Sequence, residues 1–197
     1  ILFSILNAEQ EKIAREHNSL EFCCSLENLG RFRTCILLER LGWSGVFRAI
    51  PSKISSLEEL GLPAQVKKLT EFHQGLVLIT GPSGSGKSTT LAAMIETVNQ
   101  TRNEHIITLE DPIEFAFTQV QAHINQREVG SHTKSFSSAL RAALREDPNI
   151  IMIGELRDLE TVSLAVTASE TGHLVFGTLH TISAAQTIGR ILDIFPP

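Results

Sequence analysis

Eight consecutive residues, Gly81-Pro82-Ser83-Gly84-Ser85-Gly86-Lys87-Ser88, carry the most specific chemical signal in the chain. They satisfy the pattern G-x-x-x-x-G-K-[ST], in which the glycines let the backbone curl until successive N–H groups point inward at a phosphate chain. A helix beginning near Lys87 adds the positive end of its dipole. Lys87 would reach the β- and γ-phosphates of a nucleotide, and the Ser88 hydroxyl would help hold a bridging Mg²⁺, with Thr89 next in the phosphate-binding set. A Gly/Ser-rich linker could match the pattern by chance. It would not lie between an apolar strand at 76–79 and a helix with Leu91, Met94, Ile95 and Val98 on one face.

Two more apolar runs end in acids. Residues 150–155, Ile-Ile-Met-Ile-Gly-Glu, read as a strand that delivers Glu155 to the metal and to the attacking water, which makes Glu155 the general-base candidate. The plain alternative is an exposed carboxylate at a strand end. Glu110, Asp111 and Glu114 cluster after the run 105–110. Clustered carboxylates repel unless a cation sits among them, so a Mg²⁺–water role is favoured, with Asp111 joining Ser88 and Glu155 as candidate metal ligands. His180 closes Gly177-Thr-Leu-His-Thr181, where a donor could sense the γ-phosphate or brace Glu155; by residue type a satisfied structural histidine fits equally. His173 should lie at the opposite sheet edge. The histidines show no zinc-ligand spacing.

The elements that must hold these groups alternate. Strands at 76–79, 105–110, 150–155 and 174–180 are separated by helical stretches, including 136–145 and 159–170, which implies an α/β fold with a mainly parallel sheet covered on both faces. In such sheets ligands bind beyond the carboxyl ends of the strands, where the P-loop and the acids converge. Two helices, one starting at Ser55-Ser-Leu-Glu-Glu and one at 64–73, lead into the P-loop strand. Upstream, a helix over 1–18 and short strands turning at Gly30, Gly42 and Gly45 read as a small α+β unit. The expected division is 1–51 for that unit, 52–63 for a linker (around 51–56) and short helix, and 64–197 for the nucleotide core. By residue type Arg31, Arg33 and Arg48, with Arg40 between them, are solvated strand arginines.

Composition narrows the classes. At 197 residues, 42% hydrophobic and net charge −5, the chain can bury one substantial core and is poorly suited to a large nucleic-acid face. No apolar run approaches the ~20 residues of a membrane span, and no signal peptide is recognisable, so a cytosolic or peripheral protein is expected. Cys23, Cys24 and Cys35 read as reduced thiols. The chain begins without Met and inside an apparent helix, as a fragment of a longer protein would.

In order, GPSGSGKST, ITLEDPIEF, IIMIGELRD and TGHLVFGTLHT resemble the Walker A, Asp, Walker B and His boxes of the secretion-ATPase superfamily, which drives type II secretion and type IV pili. INQREVG (124–130), ALRAALREDP (139–148) and LRDLET (156–161) are more similar to the PilT-type pilus retraction ATPases than to the assembly or secretion branches. GRFR (30–33) and VFRAIP (46–51) resemble the PAS-like N-terminal domain of that group. The resemblance covers nearly the whole chain. It implies a RecA-like P-loop core after a partial PAS-like domain, with Glu110, Asp111 and Glu114 as Asp-box acids, Glu155 as the Walker B glutamate and His180 as a His-box residue. It also reverses the plain reading of Arg31, Arg33 and Arg48, which would reach nucleotide within or between subunits. The implied activity is MgATP hydrolysis in a homohexameric ring that powers pilus retraction and twitching motility. The implied partners are an inner-membrane platform protein and the pilus machinery, at the cytoplasmic face of the inner membrane, with membrane association through partners and no nucleic acid. Three departures stand out: Asn149 replaces the family's usual Asp, Leu37-Leu38-Glu39-Arg40 replaces a segment commonly richer in Arg, and the sequence stops at Phe195-Pro-Pro, before the family's helical C-terminal region. The alternatives are an assembly or type II secretion ATPase, a catalytically silent nucleotide-binding ring subunit, and a RecA-like helicase. The last is disfavoured by the acidic charge and the lack of a basic, aromatic strip.

Overall fold

A computed structural model describes residues 1–27, 29–51 and 53–194, which fall into two units, 1–53 and 54–197. Ser52, in the expected linker, and residues 195–197 lie outside the described residues.

In the first unit a 3₁₀ turn (Leu2–Ile5) precedes α1 (Ala8–His17), so the expected single helix over 1–18 is interrupted. The reason is Asn7, whose side chain accepts the Gln10 N–H at 2.8 Å while the Gln10 side chain reaches back to the Asn7 N–H, a reciprocal cap that starts the helix there. Strands β1 (Ser19–Leu26), β2 (Gly30–Glu39) and β3 (Gly42–Ile50) form an antiparallel sheet in that order. Phe22, Thr34 and Ile36 are buried on one face. The register sets Arg33 opposite Arg48, with Arg31 two residues from Arg33, so the three arginines share the other face. Glu21 is there too, 2.6 Å from Arg33. In the departing segment 37–40, Glu39 closes the turn between β2 and β3 by accepting the Leu41 N–H and the Ser44 hydroxyl, each at 3.2 Å.

Residues 54–63 cluster with the second unit, and Leu57 is buried in its core. The helix expected from Ser55 is a single turn. Ser56 and Glu59 cap each other as a helix start would, but Gly61, at φ +68°, leaves the right-handed region at once. Next, α2 (Ala64–Leu69) is shorter than expected, because the Arg102 guanidinium takes the carbonyls of Thr70 (2.6 Å) and Phe72 (2.9 Å) and turns the chain towards the sheet.

The core strands are β4 (Gly75–Thr80), β5 (His105–Glu110), β6 (His123–Glu128), β7 (Ile150–Ile153) and β8 (Leu174–Leu179), all parallel in the order β4-β8-β7-β5-β6. The helices are α3 (Lys87–Thr101), α4 (Phe136–Ala143), α5 (Leu159–Glu170) and α6 (Ala184–Ile194). Leu91, Met94, Ile95 and Val98 of α3 pack with Ile106, Ile150, Met152 and Phe176 on one face of the sheet. On the other face Ile107, Ile151, Ile153 and Val175 meet α4 and α5. Burial on both faces explains the apolar runs of β4, β5, β7 and β8; β6, at the sheet edge, is mostly polar. The result is the expected α/β fold, a parallel sheet covered on both sides.

Candidate functional site

The loop after β4 is shaped by glycine. Gly81 has φ +154°, and a Cβ there would stand 2.5 Å from the Ser85 hydroxyl oxygen; Gly84 and Gly86 lie at φ +77° and +92°. Gly86 is the N-cap of α3, and its carbonyl accepts the Thr90 N–H at 2.8 Å. Pro82, Ser83, Gly84 and Ser85 are exposed on the loop, and Ser88 and Thr89 follow Lys87 in the first turn. The Lys87 ammonium donates to the carbonyls of Gly81 (3.0 Å) and Pro82 (2.9 Å) and lies 3.4 Å from Nδ1 of His180. These carbonyls are neutral acceptors, which anionic phosphate oxygens can replace.

His180 follows β8, and its side chain is 45% exposed. An ammonium can only donate, so Nδ1 accepts from Lys87 and the ring proton sits on Nε2. That nitrogen faces Oε1 of Glu155 at 3.5 Å. Glu155 is placed by Gly154, whose N–H donates to the Leu109 carbonyl (2.8 Å) and whose carbonyl accepts the Thr178 hydroxyl (2.5 Å). A Cβ at Gly154 would come within 3.2 Å of the Leu109 oxygen, so this close strand pairing suits glycine. Oε2 of Glu155 pairs with the Arg157 guanidinium at 2.7 Å. Burial would raise the carboxyl pKa, but the Arg157 hydrogen bond and charge, with the Lys87 charge adding to them, outweigh burial and hold it below the usual carboxylate range. Glu155 is therefore ionised at neutral pH.

The three Asp-box acids do not converge as expected. Glu110 turns inward, 7% exposed, where its carboxylate accepts the Thr108 hydroxyl (2.7 Å), the Gln126 amide (3.0 Å) and the Glu114 backbone N–H. Burial pushes its pKa up to about 7, and those hydrogen bonds only partly offset it. Asp111 is exposed and lies within electrostatic reach of Arg157, and Glu114 is half-buried. One strand-end pair thus splits, one acid inward and one outward, as strand alternation requires. Arg31, Arg33 and Arg48 belong to the other unit, where they share a face of their own sheet.

Two participants were missed by sequence reasoning. Arg157 stands two residues after Glu155 and could have been flagged as its counter-ion. Gln126 lies 16 residues from Glu110 on a strand with no apolar signature, and nothing local announces it.

A Mg²⁺ ion would meet hard oxygen donors here: the Ser88 hydroxyl, Asp111 and Glu155. Among the described residues no three acidic, His or Cys side chains form a ready metal cage.

Residues 20–195 match the family described as "Type II/IV secretion system protein". The chain is 52% identical over 196 residues to the "Type IV pilus retractation ATPase PilT" of Pseudomonas aeruginosa, covering 100% of this chain and 57% of the relative. It is 53% identical over 193 residues to the "Twitching motility protein" of Neisseria gonorrhoeae, covering 98% and 52%. The crystal structure of the pilus retraction motor PilT with bound ADP superposes with a TM-score of 0.95 at 50% identity, over 99% of this chain and 57% of that one. The chain thus spans about half the length of the curated relatives it matches.

Proposed function

This chain belongs to the type II/IV secretion system protein family, and on that premise we propose that it acts as an ATP-hydrolysing motor subunit of a ring hexamer that powers type IV pilus retraction. The observation that carries the reading is the run of contacts from Lys87 through His180 to Glu155 at the carboxyl edge of the sheet, beside a glycine-built phosphate loop.

ATP would lay its phosphates in the loop of Gly81, Pro82, Ser83, Gly84, Ser85 and Gly86, against the first N–H groups of α3 and the side chains of Ser88 and Thr89. Lys87 would leave the Gly81 and Pro82 carbonyls for the β- and γ-phosphates. Bound Mg²⁺, held by Ser88 with Asp111 and Glu155, would neutralise charge on the phosphate oxygens. Glu155, ionised at neutral pH, would orient the attacking water and take its proton, and His180 would brace Glu155 and sense the γ-phosphate. Glu110 and Glu114 would order the acidic box beside that water. Arg31, Arg33 and Arg48 would add to the compensation of phosphate charge, within a subunit or across the ring.

The partners would be identical subunits, the inner-membrane platform protein and the pilus machinery, at the cytoplasmic face of that membrane. No helix among the described residues is long and apolar enough to cross a membrane, which fits attachment through partners.

The test is Lys87→Ala in the full-length protein, assayed purified and in cells. Hydrolysis should fall by about 10³-fold or more, because the donor facing the transferring phosphate is gone. Surface pili should still be built but should not retract. Unchanged hydrolysis would sink the phosphate-loop reading, and a loss of surface pili would place the protein in the assembly branch.

A further inference from the structure

Residues 111–122, between β5 and β6, form neither helix nor strand, yet they carry Asp111 and Glu114. What fixes the first half of this segment is a pair of side chains on β6. Gln126, paired in register with Thr108 of β5, accepts the Phe117 N–H on Oε1 at 2.9 Å. Its Nε2 donates to the Phe115 carbonyl at 2.8 Å and to Oε1 of Glu110 at 3.0 Å. Two residues on, Oε2 of Glu128 accepts the Ile113 N–H at 2.8 Å.

The orientation of the Gln126 amide is not open to choice. The Phe117 N–H can only donate and the Phe115 carbonyl can only accept, so the amide nitrogen must face Phe115, and the same nitrogen reaches Glu110. One side chain therefore ties the path of the acidic segment to the orientation of the Glu110 carboxyl. The tie extends towards the site. Leu109 pairs with Ile153, and a Cβ on Gly154 would lie 3.5 Å from the Glu110 Cα, directly before Glu155.

We propose that Gln126 is a positioning residue for ATP hydrolysis, acting through Glu110 and the acidic segment and not through nucleotide binding. The proposal rests on the site reading above. The chemistry is a three-way amide clip. It sets where Asp111 and Glu114 stand relative to the reacting phosphate, and misplacement of such groups by about 1 Å can cost about 10²-fold in rate.

The test is steady-state ATP hydrolysis by full-length, assembled protein carrying Gln126→Glu, Glu110→Gln or both, with ATP affinity and thermal midpoint measured alongside. Gln126→Glu keeps the length and the acceptor for Phe117 but sets a carboxylate against the Phe115 carbonyl and Glu110. Its kcat should fall about 30- to 100-fold while KM for ATP stays within about threefold. In the double variant Gln126→Glu should add less than about threefold to the loss caused by Glu110→Gln, since the two act as one unit. Gln126→Met, which removes all three bonds without adding charge, should show the same split between kcat and KM and guards against a variant that fails to fold. Losses that multiply in the double variant, a rise in KM matching the fall in kcat, or unchanged turnover in folded Gln126→Met would each overturn the proposal. If Lys87→Ala in the same assay leaves hydrolysis intact, the site reading falls and the role of Gln126 with it; if Lys87 is required and the losses multiply, only the role of Gln126 falls.

Discussion

At the carboxyl edge of the five-stranded sheet His180 meets side chains, Lys87 at 3.4 Å and Glu155 at 3.5 Å, whereas before the amino end of the same strand Nδ1 of His173 lies 3.1 Å from the Ala168 carbonyl. The arginines divide in the same way. Arg157 pairs with Glu155 while 62% exposed, but Arg102 is 16% exposed and holds two backbone carbonyls as well as Glu104. The Arg157 end of the pair is largely solvated, so water can replace Glu155 as its partner and Arg157 can release Glu155 when a ligand arrives. A hydrogen bond to a charged group contributes about 1.5–3 kcal/mol, and Arg102 makes two of them to main chain, so Arg102 stays where it is. What separates site from scaffold is therefore not residue type. For these two histidines and two arginines it is whether the side chain meets other side chains at an open edge or is held to main chain.

The hardest test of that contrast is Glu155→Gln. The amide keeps the shape and one acceptor but cannot take a proton, so turnover should drop 10²- to 10⁴-fold with ATP affinity largely kept. If affinity and turnover fall together, Glu155 is scaffold and the contrast breaks at its centre.

Glu110 sits at the open edge yet behaves as scaffold, and its protonation gives a smaller, separable effect. Its pKa is raised from an ordinary 4.5 to about 7, so the folded state holds a proton that the unfolded chain has already lost. The stability it contributes is fully present below about 4.5 and is lost as pH rises through about 7. The loss is on the order of 3 kcal/mol. Urea unfolding in metal-free, nucleotide-free buffer at pH 5 and pH 8 should show a decline that Glu110→Gln largely removes. An equal decline in that variant would mean that Glu110 is not the group responsible.

Much of this contrast was legible in the chain. The loop glycines, the Lys87 position and the apolar strands before Glu110, Glu155 and His180 declare themselves because a doubly covered parallel strand must be apolar throughout. The face of α3 was readable from its spacing. The rest was hidden for local reasons. Strand β6, HINQRE, lies at the sheet edge with Ile124 as its only buried residue, so it reads as polar loop. The inward turn of Glu110 depends on Thr108 and on Gln126, a partner that only the fold brings close. The turn at 57–61 imitates a helix start, because capping residues specify a beginning and not a length.

The finest test lies at the amino edge of the sheet, at Asn149. Its Oδ1 accepts the His105 N–H at 2.8 Å, its own N–H donates to the His105 carbonyl at 2.9 Å, and its carbonyl accepts the Leu174 N–H at 3.1 Å. The residue thus joins the entries of β5, β7 and β8, and only one of those bonds uses the side chain. Aspartate offers the same acceptor at an exposed position, so Asn149→Asp should change stability by less than about 1 kcal/mol. Asn149→Ala leaves the His105 N–H without that partner and should cost about 1 kcal/mol. Because these bonds run to main chain and none reaches Lys87, Glu155 or His180, both variants should hydrolyse ATP within about twofold of the parent rate, the change in barrier being under about 0.5 kcal/mol. A larger change in kcat for Asn149→Asp, at unaltered stability, would mean that the strands carry charge effects from one edge of the sheet to the other, and the division between scaffold edge and site edge would have to be abandoned.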